Sequence, residues 1–95
     1  MKIVVLGAGE SGVGAALLAQ KKGYEVFVSD KGEIKREFKL ELEKAEIPYE
    51  ELQHTQIKIF EASEVIKSPG IPDKVVLIKE LKQRGIPVIS EIEFA

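Results

Sequence analysis

The run Ile3-Val4-Val5-Leu6-Gly7-Ala8-Gly9-Glu10-Ser11-Gly12 constrains the fold of this chain more than any other feature. Its first half is unbroken β-branched and apolar sequence, which reads as a strand covered on both faces, the habit of parallel sheets. Gly7, Gly9 and Gly12 then interrupt it at the spacing of a phosphate-binding turn. In such a turn the first glycine permits the tight bend. The second lets backbone approach a ligand with no Cβ in the way, and the third lets helix and strand pack closely. From Ser11 the pattern becomes helical, with Val13, Ala16 and Leu17 on one stripe that ends at the polar Gln20. Free N–H groups and the helix dipole at such an N-terminus favour an anion. The same glycines also serve a scaffold domain in which they answer only to geometry.

The remaining segments alternate in the same way. Lys21-Lys22 and Gly23 close the first helix, a basic last turn followed by a glycine cap. Val26-Phe27-Val28 is a second strand, ending at Ser29-Asp30. A charged helix runs from Glu33 to Lys44 with Ile34, Phe38 and Leu42 inward. Ile47-Pro48-Tyr49 reads as a third strand, at an edge because Pro48 has no N–H to give. Ile57 to Phe60 is strand or helical turn. Glu64-Val65-Ile66-Lys67 is a fourth strand, and Ser68-Pro69-Gly70 ends it. Pro72-Asp73 opens a helix with Val76, Leu77 and Leu81 inward and Gly85 as its cap. Pro87-Val88-Ile89 is the fifth strand, and Glu91 to Ala95 begins another helix. Strands alternating with helices imply an α/β, Rossmann-like, doubly wound parallel five-stranded sheet. Right-handed crossovers favour the order 3-2-1-4-5.

Composition narrows the functional classes. With 95 residues, 44% of them hydrophobic, the chain suits one domain, residues 1–95, with one ordinary core. Fourteen basic and sixteen acidic side chains give a formal charge of −2. That balance lacks the basic excess of a nucleic-acid or membrane surface, so neither partner is expected. No cysteine is present, which removes disulfides, thiolate metal sites and a Cys nucleophile, and fits a cytoplasmic protein. No P-loop of the Gly-x-x-x-x-Gly-Lys-Ser/Thr type occurs, so no cofactor is expected in this domain.

Several residues invite a chemical reading beside a plainer one. Asp30 lies about 20 residues beyond the glycine turn, where dinucleotide enzymes hold ribose hydroxyls with an acid; Asp-Lys-Gly is equally turn chemistry. Ser68-Pro69-Gly70 falls at the carboxyl end of the fourth strand. With the order given above, it flanks the switch point where such sheets take ligands, so Ser68 faces the same ligand as Ser11 unless it is only a turn. Lys31, Lys35 and Arg36 read as surface cations, and His54 as a solvated loop histidine. The acidic stretches Glu41 to Glu51 and Glu91 to Glu93 read as solvated helix faces.

Three segments taken together resemble a known family. They are Val4 to Ala16, Val26 to Asp30, and Val65-Ile66-Lys67-Ser68-Pro69-Gly70-Ile71-Pro72 with its continuation Gly85 to Phe94. Across essentially all 95 residues this set is similar to the N-terminal domain of the Mur ligases, and within them to the branch that adds D-glutamate to the peptidoglycan precursor. The resemblance implies a domain that binds the UDP part of UDP-N-acetylmuramoyl-L-alanine. It carries diphosphate contacts over to Gly9, Glu10, Ser11 and Gly12, uracil contacts to Asp30, Lys31 and Gly32, and a cleft lining to Ser68, Pro69 and Gly70. It also implies that ATP and Mg²⁺ belong to further domains of a full-length enzyme, so that this chain alone is inactive. Glu10 departs from the apolar residue the family often has there, leaving a backbone contact more natural than a side-chain one. A dinucleotide-binding domain of an oxidoreductase or transport regulator is the rival reading of Gly7, Gly9, Gly12 and Asp30.

Overall fold

Each strand of the sheet sends alternate side chains to opposite layers, and two separate apolar cores result. The computed structural model describes residues 1–94, the side chains of Ile92 and Glu93 excepted. Five strands lie parallel: β1 (Lys2–Leu6), β2 (Glu25–Ser29), β3 (Tyr49–Glu50), β4 (Glu64–Lys67) and β5 (Val88–Ser90). Their order is β3-β2-β1-β4-β5, as the crossover rule predicts. Ile3, Val5, Val26, Val28 and Ile66 face α1 (Glu10–Lys21) and α2 (Arg36–Lys44). Val4, Leu6, Phe27 and Val65 face α3 (Gln56–Phe60) and α4 (Val76–Gln83). A short α5 (Glu91–Phe94) follows β5 and packs against α1.

The local differences from the sequence reading have identifiable causes. The first helix starts at Glu10 rather than Ser11. Its buried stripe is Gly12, Val13, Ala15, Ala16 and Ala19, and Leu17 is only partly covered. Small residues form the stripe because the helix lies close on the sheet. The second helix starts at Arg36, not Glu33. Ile34 enters the core ahead of it, and its N–H donates to Glu51 Oε1 at 2.9 Å, so the backbone there is satisfied outside the helix. The third strand lies at Tyr49–Glu50, later than Ile47-Pro48-Tyr49, because Pro48 contributes only its carbonyl, accepting from Val28 N–H at 3.1 Å. Ile57 to Phe60 is helical. The fourth helix starts at Val76, after a turn in which Val75 N–H donates to Pro72 O. Its fully buried residues are Ile78 and Leu81, while Val76, on the opposite face, is 75% exposed. Glu91 to Phe94 is helical as expected, and Ala95 lies outside the described residues.

Candidate functional site

The carboxyl ends of β1, β2 and β4 open onto a cleft of about 670 Å³. That is ample for a nucleotide-sized ligand, and the position is the switch point of the strand order. One wall is the glycine turn, Leu6 to Gly9. A second is the segment after β2 and β3, with Asp30, Lys31, Leu52, Gln53 and His54. The third is the loop after β4, with Ser68, Gly70, Ile71 and Pro72.

The three glycines of the turn have different reasons. Gly7 takes φ +99°, and a Cβ there would sit 3.0 Å from Ser68 Cβ. At Gly12 a Cβ would lie 1.9 Å from the Gly7 carbonyl oxygen. Packing within the protein therefore explains both. Gly9 has ordinary backbone angles, and a Cβ would meet nothing within 4 Å. Packing within the protein therefore does not require its bareness. Gly9 is also the N-cap of α1 and supplies no side chain to its first turn. The N–H groups of Glu10, Ser11 and Gly12 have no partner within the helix by its geometry.

Side chains organise the opposite wall. Asp30 Oδ2 accepts from Ala8 N–H at 2.8 Å, and Oδ1 accepts from Gly32 N–H at 2.8 Å. The acid thus ties the glycine turn to the end of β2 and closes its own turn, instead of standing free. Ser29, fully buried, donates to Glu50 Oε2 at 2.7 Å and lies 2.6 Å from His54 Nδ1. Glu50 is 9% exposed and also accepts from the Thr55 N–H at 2.7 Å and from its hydroxyl. Burial pushes the Glu50 carboxyl up, but these hydrogen bonds and nearby Lys58 outweigh it and hold it below the usual range. Burial lowers the His54 imidazole, against the upward pull of Glu50 and Asp30. Leu52 adopts φ +63°, a conformation unusual for a branched side chain, with its N–H donating to Gly32 O at 3.0 Å. On the third wall, Lys67 Nζ donates to Ile71 O at 2.9 Å and lies 3.5 Å from Asp73 Oδ1, bracing the Ser68 to Pro72 loop.

Of the residues named from the sequence, Gly9, Asp30, Lys31, Ser68 and Gly70 line the cleft together. Glu10 and Pro69 are exposed outside it, and Gly12 is buried under Gly7. Gly32 accepts the Leu52 bond from the turn beside the cleft. Ser11 turns the other way and hydrogen-bonds Glu91, so it does not share the cleft with Ser68. Two plainer readings are corrected. His54 is half-buried and held by Ser29 rather than solvated. Glu50 and Glu91 are buried, not part of solvated helix faces; Glu91 is 6% exposed, and burial pushes its carboxyl up despite the bond from Ser11. Lys35 and Arg36 are exposed, as expected. β3 ends at Glu50, one residue beyond the expected strand, and the rule that ligands gather at carboxyl ends of parallel strands then points to Leu52, Gln53 and His54. Among the described residues no three His, Cys, Asp or Glu side chains group to hold a metal ion, and no helix is long and apolar enough to cross a membrane.

Comparison with known proteins follows the same outline. A family model described as the MurD N-terminal domain matches residues 2–76. The chain is 60% identical over 94 residues to the UDP-N-acetylmuramoylalanine–D-glutamate ligase of Christiangramia forsetii, covering 99% of this chain and 21% of that protein. It is 61% identical over 93 residues to the enzyme of the same name from Porphyromonas gingivalis strain W83, covering 98% and 21%. Among solved structures, a murein peptide ligase from Psychrobacter arcticus superposes with TM-score 0.86 at 25% identity, covering 99% of this chain and 20% of that one. The UDP-N-acetylmuramate-alanine ligase MurC of Thermotoga maritima superposes with TM-score 0.81 at 25% identity, covering 99% and 21%. The chain therefore spans about a fifth of the length of the relatives it matches.

Proposed function

Because the chain belongs to the MurD N-terminal domain family, we propose that it binds the UDP part of UDP-N-acetylmuramoyl-L-alanine for a cytoplasmic ATP-dependent ligase that adds D-glutamate in peptidoglycan precursor synthesis. The observation that carries this reading is Gly9. Its lack of a side chain is required by nothing in the protein, and it lies where the cleft meets the α1 N-terminus. A diphosphate resting there takes N–H groups from Gly9 through Gly12 and gains from the helix dipole. The uridine then lies toward Asp30, Lys31 and Gly32, with Ser68 and Gly70 bounding the other side and Pro69 holding the turn between them from outside the cleft.

The chemistry of such a ligase needs a phosphorylated substrate carboxylate and attack by the D-glutamate amine. The residues present do not fit ATP or Mg²⁺: the sequence has no P-loop, and the described residues offer no metal cluster. We therefore assign those steps to the remainder of a longer enzyme and expect the 95-residue chain to bind without turning over.

Calorimetric titration separates this reading from a dinucleotide site. UDP and UDP-N-acetylmuramoyl-L-alanine are expected to bind, and NAD⁺ is not. A Gly9→Ala variant is expected to lose about tenfold in UDP affinity while its melting temperature changes little, since the new Cβ enters open space. Binding of NAD⁺ with no response to any uridine nucleotide would refute the assignment.

A further inference from the structure

A proton count around Ser29 fixes what His54 offers to the cleft. A serine hydroxyl has one proton and two lone pairs. Ser29 lies 2.7 Å from a carboxylate oxygen of Glu50, 3.2 Å from the Gln53 carbonyl and 2.6 Å from His54 Nδ1. The Glu50 carboxylate and the Gln53 carbonyl can only accept, whereas Nδ1 can donate, and the charge-assisted bond to Glu50 is the stronger claim on that proton. The hydroxyl oxygen must then accept from the ring, so Nδ1 carries the imidazole proton. Burial keeps the ring below its usual titration range, with Lys31 acting in the same direction and Glu50 and Asp30 against it, so the ring is neutral near pH 7. Nε2 is left with a lone pair and, among the described residues, no protein partner. His54 lines the cleft on the side of Asp30 and Lys31, beyond the glycine turn. The other acid on that wall, Asp30, already accepts from two backbone amides.

We propose that His54 is a specificity-determining residue for the nucleoside end of the ligand, accepting through Nε2 a hydrogen bond from a neutral donor, either the uracil imide N–H or a ribose hydroxyl. Ser29 and Glu50 are positioning residues that hold the ring in this tautomer. The inference rests on the UDP-binding reading given above. It adds a selection that a glycine turn, blind to the base, does not supply. An acceptor at this point turns away a ligand whose donor is blocked.

The test combines binding with a ligand-free measurement. UDP is titrated into wild-type protein, His54→Phe and His54→Gln, beside 3-methyl-UDP and the 2′- and 3′-deoxy forms of UDP. His54→Phe is expected to weaken UDP roughly tenfold, and His54→Gln, which restores an acceptor, less. One analogue is expected to bind wild type roughly tenfold worse than UDP yet match UDP on His54→Phe; 3-methyl-UDP identifies the imide and a deoxy form the ribose. Nitrogen-15 NMR of the free protein is expected to show the Nδ1–H tautomer, with Ser29→Ala shifting the ring toward a mixture. An Nε2-protonated ring in the wild type overturns the proposal. So does equal UDP affinity of wild type and His54→Phe, or an analogue penalty that survives in that variant. A wild type that ignores UDP altogether overturns the UDP-binding reading first, and this one with it.

Discussion

Two of the three walls of the cleft are made from opposite materials. The glycine wall is backbone: Gly7 and Gly12 fit each other and Ser68 so closely that a single Cβ has no room, and no side chain caps the helix they introduce. The β2–β3 wall is side chain: Ser29, Glu50, His54 and Thr55 satisfy one another in a buried polar network. A backbone wall presents a fixed array of N–H donors that any phosphate can use. A side-chain wall presents acceptors whose direction depends on its neighbours. The difference teaches where affinity and discrimination can each reside in one small site.

Substitutions that break each wall should differ in kind. Gly12→Ala forces a Cβ to 1.9 Å from the Gly7 carbonyl, so helix and turn must separate. We expect a loss of about 3 kcal/mol or more in urea unfolding. Next comes Glu50→Gln. An amide cannot accept from Ser29 and from both donors of Thr55 as the carboxylate does, and we expect a loss of about 2 kcal/mol by the same measurement. Gly9→Ala, in the glycine wall but facing open cleft, should change stability by less than about 0.5 kcal/mol.

Acid sharpens the contrast further. Glu50, with three donors, is held below its ordinary value of 4.5, whereas Glu91, with the Ser11 hydroxyl against its burial, is held above it. The stability that Glu50 contributes is present above 4.5 and is lost as pH falls through its lowered folded value. Glu91 runs the other way: the folded state takes up its proton first, so acidification through that region favours folding at this site. His54, lowered from 6.5, adds a loss that begins as pH falls below that value, because the unfolded chain protonates first. The smallest expected effect is therefore a slight decline in melting temperature between neutral pH and about pH 5, removed by His54→Gln and left in place by Glu91→Gln.

This contrast also explains what could be read from the sequence. Strand order, the two-sided burial of Ile3 to Leu6 and the glycine turn follow from local patterns, since periodicity and glycine spacing are encoded within a few residues. Five of the cleft residues, Gly9, Asp30, Lys31, Ser68 and Gly70, could be named for the same reason: they stand at strand ends. Ser29, Glu50 and His54 could not, because their meaning arises only where β2 and β3 pair, with 21 and 25 positions separating Ser29 from its partners. A glutamate in an acidic stretch looks solvated until the strand beside it is known. Val76 reads as inward from its apolar character alone, but at about 100° per residue it lies across the helix from the buried Ile78 and Leu81.

The central place of β1 has a practical consequence. Residues Lys2 to Leu6 pair with β2 on one side, and Ile3 to Leu6 pair with β4 on the other. Successive amides of a central strand bond to opposite neighbours, so those of Val4 and Val5 are freed together only when both flanks of the sheet separate, and matched hydrogen exchange at the two should report global unfolding. Trimming the first six residues would leave β2–β3 and β4–β5 as two separate ribbons with no strand between them. The N-terminus of this chain is thus its keystone, and shortening experiments belong at the other end.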